Sequence, residues 1–259
     1  MSFDALAADY DRSFTATPLG ALLRRAVWRR LDLRFATGDR VLELGCGTGE
    51  DAVYLGSRGV HVVATDASAG MVETARAKVA AAGLADTVAV HHLPIENLPA
   101  DDGAVAALGG PFDGALSDFG ALNCVADLPR AAAALAAHLR PGAPALLCVM
   151  GPLVPWEWAW FLRRGQVSRA FRRLRPGGVA WRGLTVRYPS IRRLRRAFAP
   201  AFRTVRVGAV NALLPPTYYE PWAARHPRLL AALDRADRRC ERWPLPWLAD
   251  HYLVELERR

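Results

Sequence analysis

Lysine is all but missing from this chain: Lys78 is the only one, and every other basic residue is arginine. Acid is missing locally. Between Trp158 and Tyr219 there is no Asp or Glu, while fourteen Arg occur, so this segment carries +14 and the rest of the chain sums to −5. An Arg-rich composition accounts for solvated arginines in general, but an acid-free stretch of this length also reads as an anion-attracting face. No apolar run approaches the roughly 20 residues of a membrane-spanning helix. The opening "MSFDALAADYDRSF" has acids and no basic region ahead of an apolar stretch, which does not read as a signal peptide. Cys46, Cys124, Cys148 and Cys240 lack paired spacing; they argue against a zinc site or a disulfide framework and fit a reducing cytoplasm. His61, His91, His92, His138 and His226 likewise show no metal-ligand spacing.

What is present is apolar: 52% of the 259 residues, with eight Trp. That is enough for one large domain with a substantial core. "PLGALLRRAVWRRLDL" places Leu22, Leu23, Ala26, Val27 and Leu31 on one side of a helix. After Gly38 short apolar strands ("RVLELG", "VHVVATD", "VAVHHL", "FDGALSDF", "APALLCVM") alternate with helical stretches. Among the helices, Ser68 is the expected N-cap and Gly83 the stop of "SAGMVETARAKVAAAG". The loop "ADDGAVAALGGP" precedes the fourth strand. This alternation predicts an α/β fold, a mostly parallel sheet with helices on both faces. Beyond Met150 the rhythm lapses into a Trp/Arg-rich helical insertion over 151–184. Residues 185–259 then complete the sheet with strands at Arg203–Val210 and His251–Glu257.

In "VLELGCGTGE" three glycines fall in five positions at the end of the first strand. Such a turn lets a ligand rest directly on the backbone at the carboxyl edge of an open sheet. Asp66 ends the second strand twenty-one residues after Gly45, where a carboxylate can accept both hydroxyls of a ribose. The dinucleotide fingerprint is G-x-G-x-x-G, facing a pyrophosphate. Here the spacing is G-x-G-x-G, and Glu43 and Glu50 flank it. Acids on both sides repel a pyrophosphate and suit a cationic amine and sulfonium, which favours S-adenosylmethionine over NAD.

"VLELGCGTGE" resembles motif I of the class I S-adenosylmethionine-dependent methyltransferases, and "VVATDAS" their second motif. "FDGALSDFGALNCVADL" is similar to their fourth-strand region and "LRPGAPALLCV" to the fifth. "FDALAADYDRSF" is similar to the lid of the small-molecule branch. The resemblance implies a Rossmann-like seven-stranded sheet, with a lid over 1–37 and a cofactor-binding core over 38–150. It implies that Glu43 and the backbone of Gly45, Cys46, Gly47, Thr48 and Gly49 face the methionine end of S-adenosyl-L-methionine. Asp66 would hold the ribose; Ala67, Met71, Ile95 and Glu96 would lie around the adenine. Ser117 and Phe119 would line the sulfonium end, and Tyr10 would close over the cofactor, leaving S-adenosyl-L-homocysteine as product.

Methyl transfer from a sulfonium is an in-line displacement in which alignment and exclusion of water do much of the work. Where a base is needed, the candidates are His251 beside Asp250, and Tyr218. Trp156, Trp160, Tyr219 and Asn123 are the candidate substrate contacts. A lid of Trp and Arg suits a small hydrophobic acceptor with an anionic group (lipid-, quinone- or polyketide-like), or an anionic membrane surface touched from the cytoplasm. Nucleic acid is the less favoured partner: the Asn/Asp-Pro-Pro-aromatic turn of base-amino methylation is replaced by "SDFG", although RNA methylation by the Arg-rich segment stays as the alternative. A non-catalytic cofactor-binding subunit is the other.

Overall fold

The computed structural model describes residue 4 and residues 7–98, 106–242 and 244–259; of Ala8 and Tyr218 it describes only the backbone. The loop expected over 100–111 falls partly outside the described residues.

Seven strands form one sheet: β1 (Arg40–Leu44), β2 (His61–Asp66), β3 (Val88–His92), β4 (Gly114–Ser117), β5 (Pro144–Met150), β6 (Phe202–Val210) and β7 (His251–Arg258). Their spatial order is 3-2-1-4-5-7-6. Strands β1 to β5 pair in parallel, and β7 runs antiparallel between β5 and β6. The chain reverses direction across the sheet between β1 and β4, so the carboxyl ends of those two strands open the crevice where such folds bind ligands.

The strands read as apolar runs because both faces are covered. Within β1, Leu42 and Leu44 join one buried cluster with α4 (Leu128–His138) and α6 (Ile191–Phe198). Val41 joins the opposite cluster, with α1 (Pro18–Leu31), α2 (Glu50–Gly56) and α3 (Ala69–Ala81). Strand alternation puts Glu43 on the Val41 face, under α1. Local signals fix the helix starts. Thr17 Oγ1 accepts from the Gly20 amide ahead of Pro18, and Ser68 Oγ from the Met71 amide, as expected for that cap. In α6, Ile191, Leu194 and Phe198 are buried while Arg192, Arg193, Arg195 and Arg196 are exposed. Four of the segment's fourteen arginines are thus the outer face of one amphipathic helix.

Between β5 and α6 the chain forms α5 (Pro155–Leu162), a short helix Val167–Ala170, a 3-10 turn Arg172–Leu174, and a hairpin of Val179–Trp181 with Leu184–Val186. After β6 come a 3-10 turn Thr217–Tyr219, a helix Glu220–Arg225 and α7 (Pro227–Asp237). The Glu220 carboxylate accepts the Leu19 amide at 3.2 Å, and Leu214, Ala223 and Leu230 pack on Leu19 and Leu22. This C-terminal stretch therefore buttresses α1. No described helix is long and apolar enough to cross a membrane.

Candidate active site

The glycine turn sits where β1 delivers it. Gly45, Gly47 and Gly49 all have positive φ (73°, 53° and 77°), the left-handed region that disfavours side chains. They divide by what a side chain would meet. A Cβ on Gly45 would come within 2.1 Å of the Ala121 Cβ, and one on Gly49 within 2.9 Å of the Ala75 Cβ. A Cβ on Gly47 would meet nothing within 4 Å. Gly45 and Gly49 are bare for packing; Gly47 is bare against open space. The turn is pinned to β2 through the Gly45 and Cys46 amides, which donate to the Thr65 carbonyl at 2.8 and 2.9 Å. The Asp66 carboxylate accepts the Gly47 and Ser68 amides, one on each oxygen, both at 2.8 Å. Burial pushes the Asp66 carboxyl up, and these amides oppose it.

Beneath the turn lies a buried knot of acid. Glu43 is 1% exposed and Asp118 7%; one oxygen of Glu43 and both of Asp118 have no hydrogen-bond partner among the described residues. Burial, reinforced by Asp51, pushes both carboxyls well above the usual range. Asp51 itself is satisfied, by Arg24 Nη1 at 2.5 Å and Trp28 Nε1 at 2.6 Å. Burial works against the charge on Arg24, but Asp51 holds its pKa above the ordinary value. Three carboxyl groups (Glu43, Asp51, Asp118) thus share one buried guanidinium, with Asp66 held by amides beside them. Buried carboxyls without partners favour their neutral form, and a cation beside them is what would let them ionise. A ligand carrying an ammonium and a sulfonium fits this donor set; a pyrophosphate does not.

The N-terminal segment is tied down over the turn. Thr48 Oγ1 donates to Asp11 at 2.6 Å, and Lys78 Nζ lies 2.6 Å from Asp11 and 2.9 Å from Glu50. Tyr10 contacts Phe14 (5.6 Å between ring centroids), Phe14 contacts Phe119 (5.8 Å), and Arg24 lies over the Phe119 ring at 5.1 Å. Burial raises the Tyr10 hydroxyl's pKa. Phe119 is held at φ 44° between Asp118 and Gly120, an outlier kept in place by ring contacts with Phe14, Arg24 and His251.

From the antiparallel part of the sheet the first residue of β7 reaches the same edge. His251 is 6% exposed, its ring meets Phe119 edge-on at 5.5 Å, and its Nδ1 is 3.1 Å from Asp250 Oδ2 but off the line of a hydrogen bond. Asp250 is held by Arg173 of the insertion at 2.7 Å; although burial pushes its carboxyl up, Arg173 and His251 bring it well below the usual range. Arg173 also binds Glu157 of α5 at 2.8 Å. The insertion is clamped to the sheet beside His251 by a buried three-residue network. Trp156 and Trp160 of α5 converge on Tyr219, with ring centroids 6.4 and 4.1 Å apart, and Arg164 stacks over Trp160 at 3.2 Å.

Several expected contacts are corrected. Asn123 is fully buried; its amide donates both hydrogens to the Met150 and Arg187 carbonyls and accepts the Met150 amide, so it joins three chain segments and has no donor left for a substrate. No correction falls on Cys46 and Thr48, expected to offer their backbone alone: their side chains are engaged elsewhere, Cys46 in the core and Thr48 on Asp11. Glu50 is neutralised by Lys78, so half of the flanking-acid argument moves to Asp118. Ser117 Oγ is bound to the Leu44 carbonyl at 2.9 Å, fastening β4 to β1. Met71 and Ile95 are buried, while Ala67, just past β2, and Glu96, in the 3-10 turn Ile95–Asn97 after β3, are exposed. The Tyr218 side chain lies outside the described residues. Arg24, Asp51 and Asp118 escaped the sequence reading. The available signal was a cation on an otherwise apolar helix face, Leu23 and Val27 with Arg24 between them.

Residues 41–142 match the profile of a family described as "Methyltransferase domain". Among curated proteins, the demethylmenaquinone methyltransferase of Clavibacter sepedonicus is 32% identical over 167 residues, 63% of this chain and 60% of that one. The tRNA 5-carboxymethoxyuridine methyltransferase of Escherichia coli (strain K12) is 30% identical over 101 residues, 38% of this chain and 39% of that one. The chain thus spans less than two thirds of the length of the curated relatives it matches. Among solved structures, an S-adenosylmethionine dependent methyltransferase from Mesorhizobium loti aligns with a TM-score of 0.56 at 20% identity, over 89% of this chain and 97% of that one. Geranyl diphosphate C-methyltransferase from Streptomyces coelicolor A3(2) aligns with a TM-score of 0.54 at 16% identity, over 87% and 74%. With the motifs, the sheet order and the glycine turn in place, residues 41–142 are a methyltransferase domain, and the chain has the class I S-adenosylmethionine-dependent methyltransferase fold.

Proposed function

We propose that the protein transfers a methyl group from S-adenosyl-L-methionine to a small hydrophobic acceptor, quinone- or polyketide-like, that carries an anionic group. The observation that carries the cofactor half is the bare Gly47 facing open space above the unpartnered carboxylates Glu43 and Asp118. Bound there, the cofactor supplies an electrophilic methyl on a positively charged sulfur. Glu43 and Asp118 compensate cationic charge, and Asp66 keeps a lone pair on each oxygen for ribose hydroxyls after accepting its two amides. The Tyr10, Phe14 and Phe119 rings exclude water. His251, with Nδ1 toward Asp250, is the base: it takes the acceptor's proton at Nε2 while Asp250 stabilises the resulting imidazolium.

The acceptor half rests on the aromatic group Trp156, Trp160 and Tyr219 and on the similarity to demethylmenaquinone methyltransferases. Six large apolar side chains of the insertion, Trp156, Leu162, Val167, Phe171, Leu174 and Trp181, are exposed among its arginines. That combination also suits contact with an anionic membrane face, where quinone-like acceptors partition. The test is calorimetry with S-adenosylhomocysteine followed by transfer of labelled methyl to a panel of naphthoquinols and phenolic polyketides. Affinity in the micromolar range and label in an organic-extractable product are expected; no affinity for the cofactor product overturns the reading. The tRNA-modifying relative and the exposed arginines favour RNA as the second acceptor, and label in tRNA in place of the quinols would select it.

A further inference from the structure

Arg173 also lines a separate space, a cavity of about 240 Å³ between the insertion, the turn at 122–128 and the start of α6. Fourteen described residues line it; four are Arg (Arg173, Arg175, Arg187, Arg193) and none of the fourteen is Asp or Glu. Asp127 interrupts this wall in sequence, but its carboxylate caps α4 by accepting the Arg130 amide at 3.0 Å. Arg173 is neutralised by Glu157 and Asp250, whereas Arg175, Arg187 and Arg193 have no ion pair among the described residues. Arg187 is half-buried; its Nη1 donates two long hydrogen bonds, 3.4 Å each, to the Cys124 and Thr185 carbonyls, and no carboxylate among the described residues pairs with it. Ser190 caps α6 at the cavity wall by accepting the Arg193 amide at 3.3 Å, so the positive end of that helix faces the same space.

We propose that this cavity is a binding site for a phosphate or diphosphate group, held by Arg187 and Arg193 at the N-terminus of α6. A half-buried guanidinium without a counter-ion is unfavourable, and its planar fork matches phosphate oxygens. Helix N-termini take the same ligands. The volume is below the roughly 300 Å³ at which pockets accept whole drug-sized molecules, so it suits a charged head rather than an entire amphiphile. That head belongs either to a soluble phosphate compound or to an anionic lipid whose tail meets the exposed Phe171 and Leu174 nearby. The site shares no residue with the cofactor crevice and goes beyond the methyl-transfer reading.

Calorimetry with sodium diphosphate in about 150 mM salt, where diffuse attraction is screened, tests it on the full chain. The variants are R193Q, at an exposed position that leaves folding intact, and R187Q/R193Q; S-adenosylhomocysteine affinity serves as a second readout on each. Saturable one-to-one diphosphate binding is expected, weakened by roughly tenfold or more in the double variant, with the nucleoside affinity unchanged. In a parallel arm the proteins are sedimented with phosphatidylcholine vesicles with or without phosphatidic acid. Variant-sensitive sedimentation that diphosphate competes away identifies the lipid source, and diphosphate binding without vesicle binding identifies the soluble one. Failure of both probes with the wild type, or binding that ignores the substitutions, overturns the proposal. Loss of nucleoside binding alone in the wild type strikes the methyl-transfer reading and leaves this one standing.

Discussion

At the scale of single residues, the glycines of one turn separate by what a methyl group would strike. Gly45→Ala drives a Cβ to 2.1 Å from Ala121 and is expected to lower the melting temperature sharply. Gly47→Ala meets no neighbour within 4 Å, so its own cost is the left-handed backbone, about 1–2 kcal/mol. It is expected instead to weaken S-adenosylhomocysteine by roughly tenfold, about 1.4 kcal/mol, which calorimetry reads directly. Unchanged affinity would remove Gly47 from the site. Glu43 gives a pH signature. Its carboxyl is raised by burial, so the native state holds its proton to higher pH than the unfolded chain, and stability falls as pH climbs from the ordinary carboxylate range through the raised one. Gln cannot ionise. Glu43→Gln is therefore expected to raise the melting temperature of the ligand-free protein more at pH 8 than at pH 5, while weakening the cationic cofactor. An equal shift at both pH values would show that Glu43 carries no burial penalty.

At the scale of elements, the question is what keeps the insertion on the sheet. Arg173 bridges Glu157 and Asp250 with side chains 8%, 1% and 11% exposed, whereas Arg203 and Glu257 at the sheet edge are 64% and 37% exposed. Removing one partner of a buried network strands the other charges and costs roughly 3–5 kcal/mol, against about 0–1 for a surface pair. Arg173→Met should thus lower the urea midpoint far more than Arg203→Met, and should open 155–184 to limited proteolysis. Similar losses for both would mean that the insertion is held by its apolar contacts alone. On α5, the double substitution Trp156→Ala and Trp160→Ala removes the two α5 rings that meet Tyr219. KM for a quinol acceptor should rise with cofactor affinity preserved; parallel loss of both would make the aromatic group a structural one.

For the whole molecule, charge is partitioned: the acid-free segment carries +14 while the cofactor crevice is acidic inside. The two regions should answer salt differently. Raising ionic strength from about 0.1 to 1 M shortens the screening length from about 10 to 3 Å. Retention on RNA or anionic vesicles through the exposed arginines should fall steeply. Nucleoside affinity, set by buried groups, should change little. A steep salt dependence of nucleoside binding would place that ligand on the surface instead.

The sequence determined the sheet, its carboxyl-edge glycine turn and the acid at 66, because these depend on short-range pattern: apolar runs at strand length, glycines where φ must be positive, caps three residues ahead of an amide. It also marked His251 beside Asp250 and the Trp group as worth watching. Long-range pairing was beyond it. Nothing local distinguishes Arg173, which folds inward onto a carboxylate 77 residues away, from arginines that stay in solvent; and the apolar face around Arg24 does not name its partner, Asp51, 27 residues on. Nor does local pattern tell Glu50, neutralised by Lys78, from Asp118, left bare. A side chain's charge is written in the chain; whether it is matched depends on which distant segment the fold brings against it.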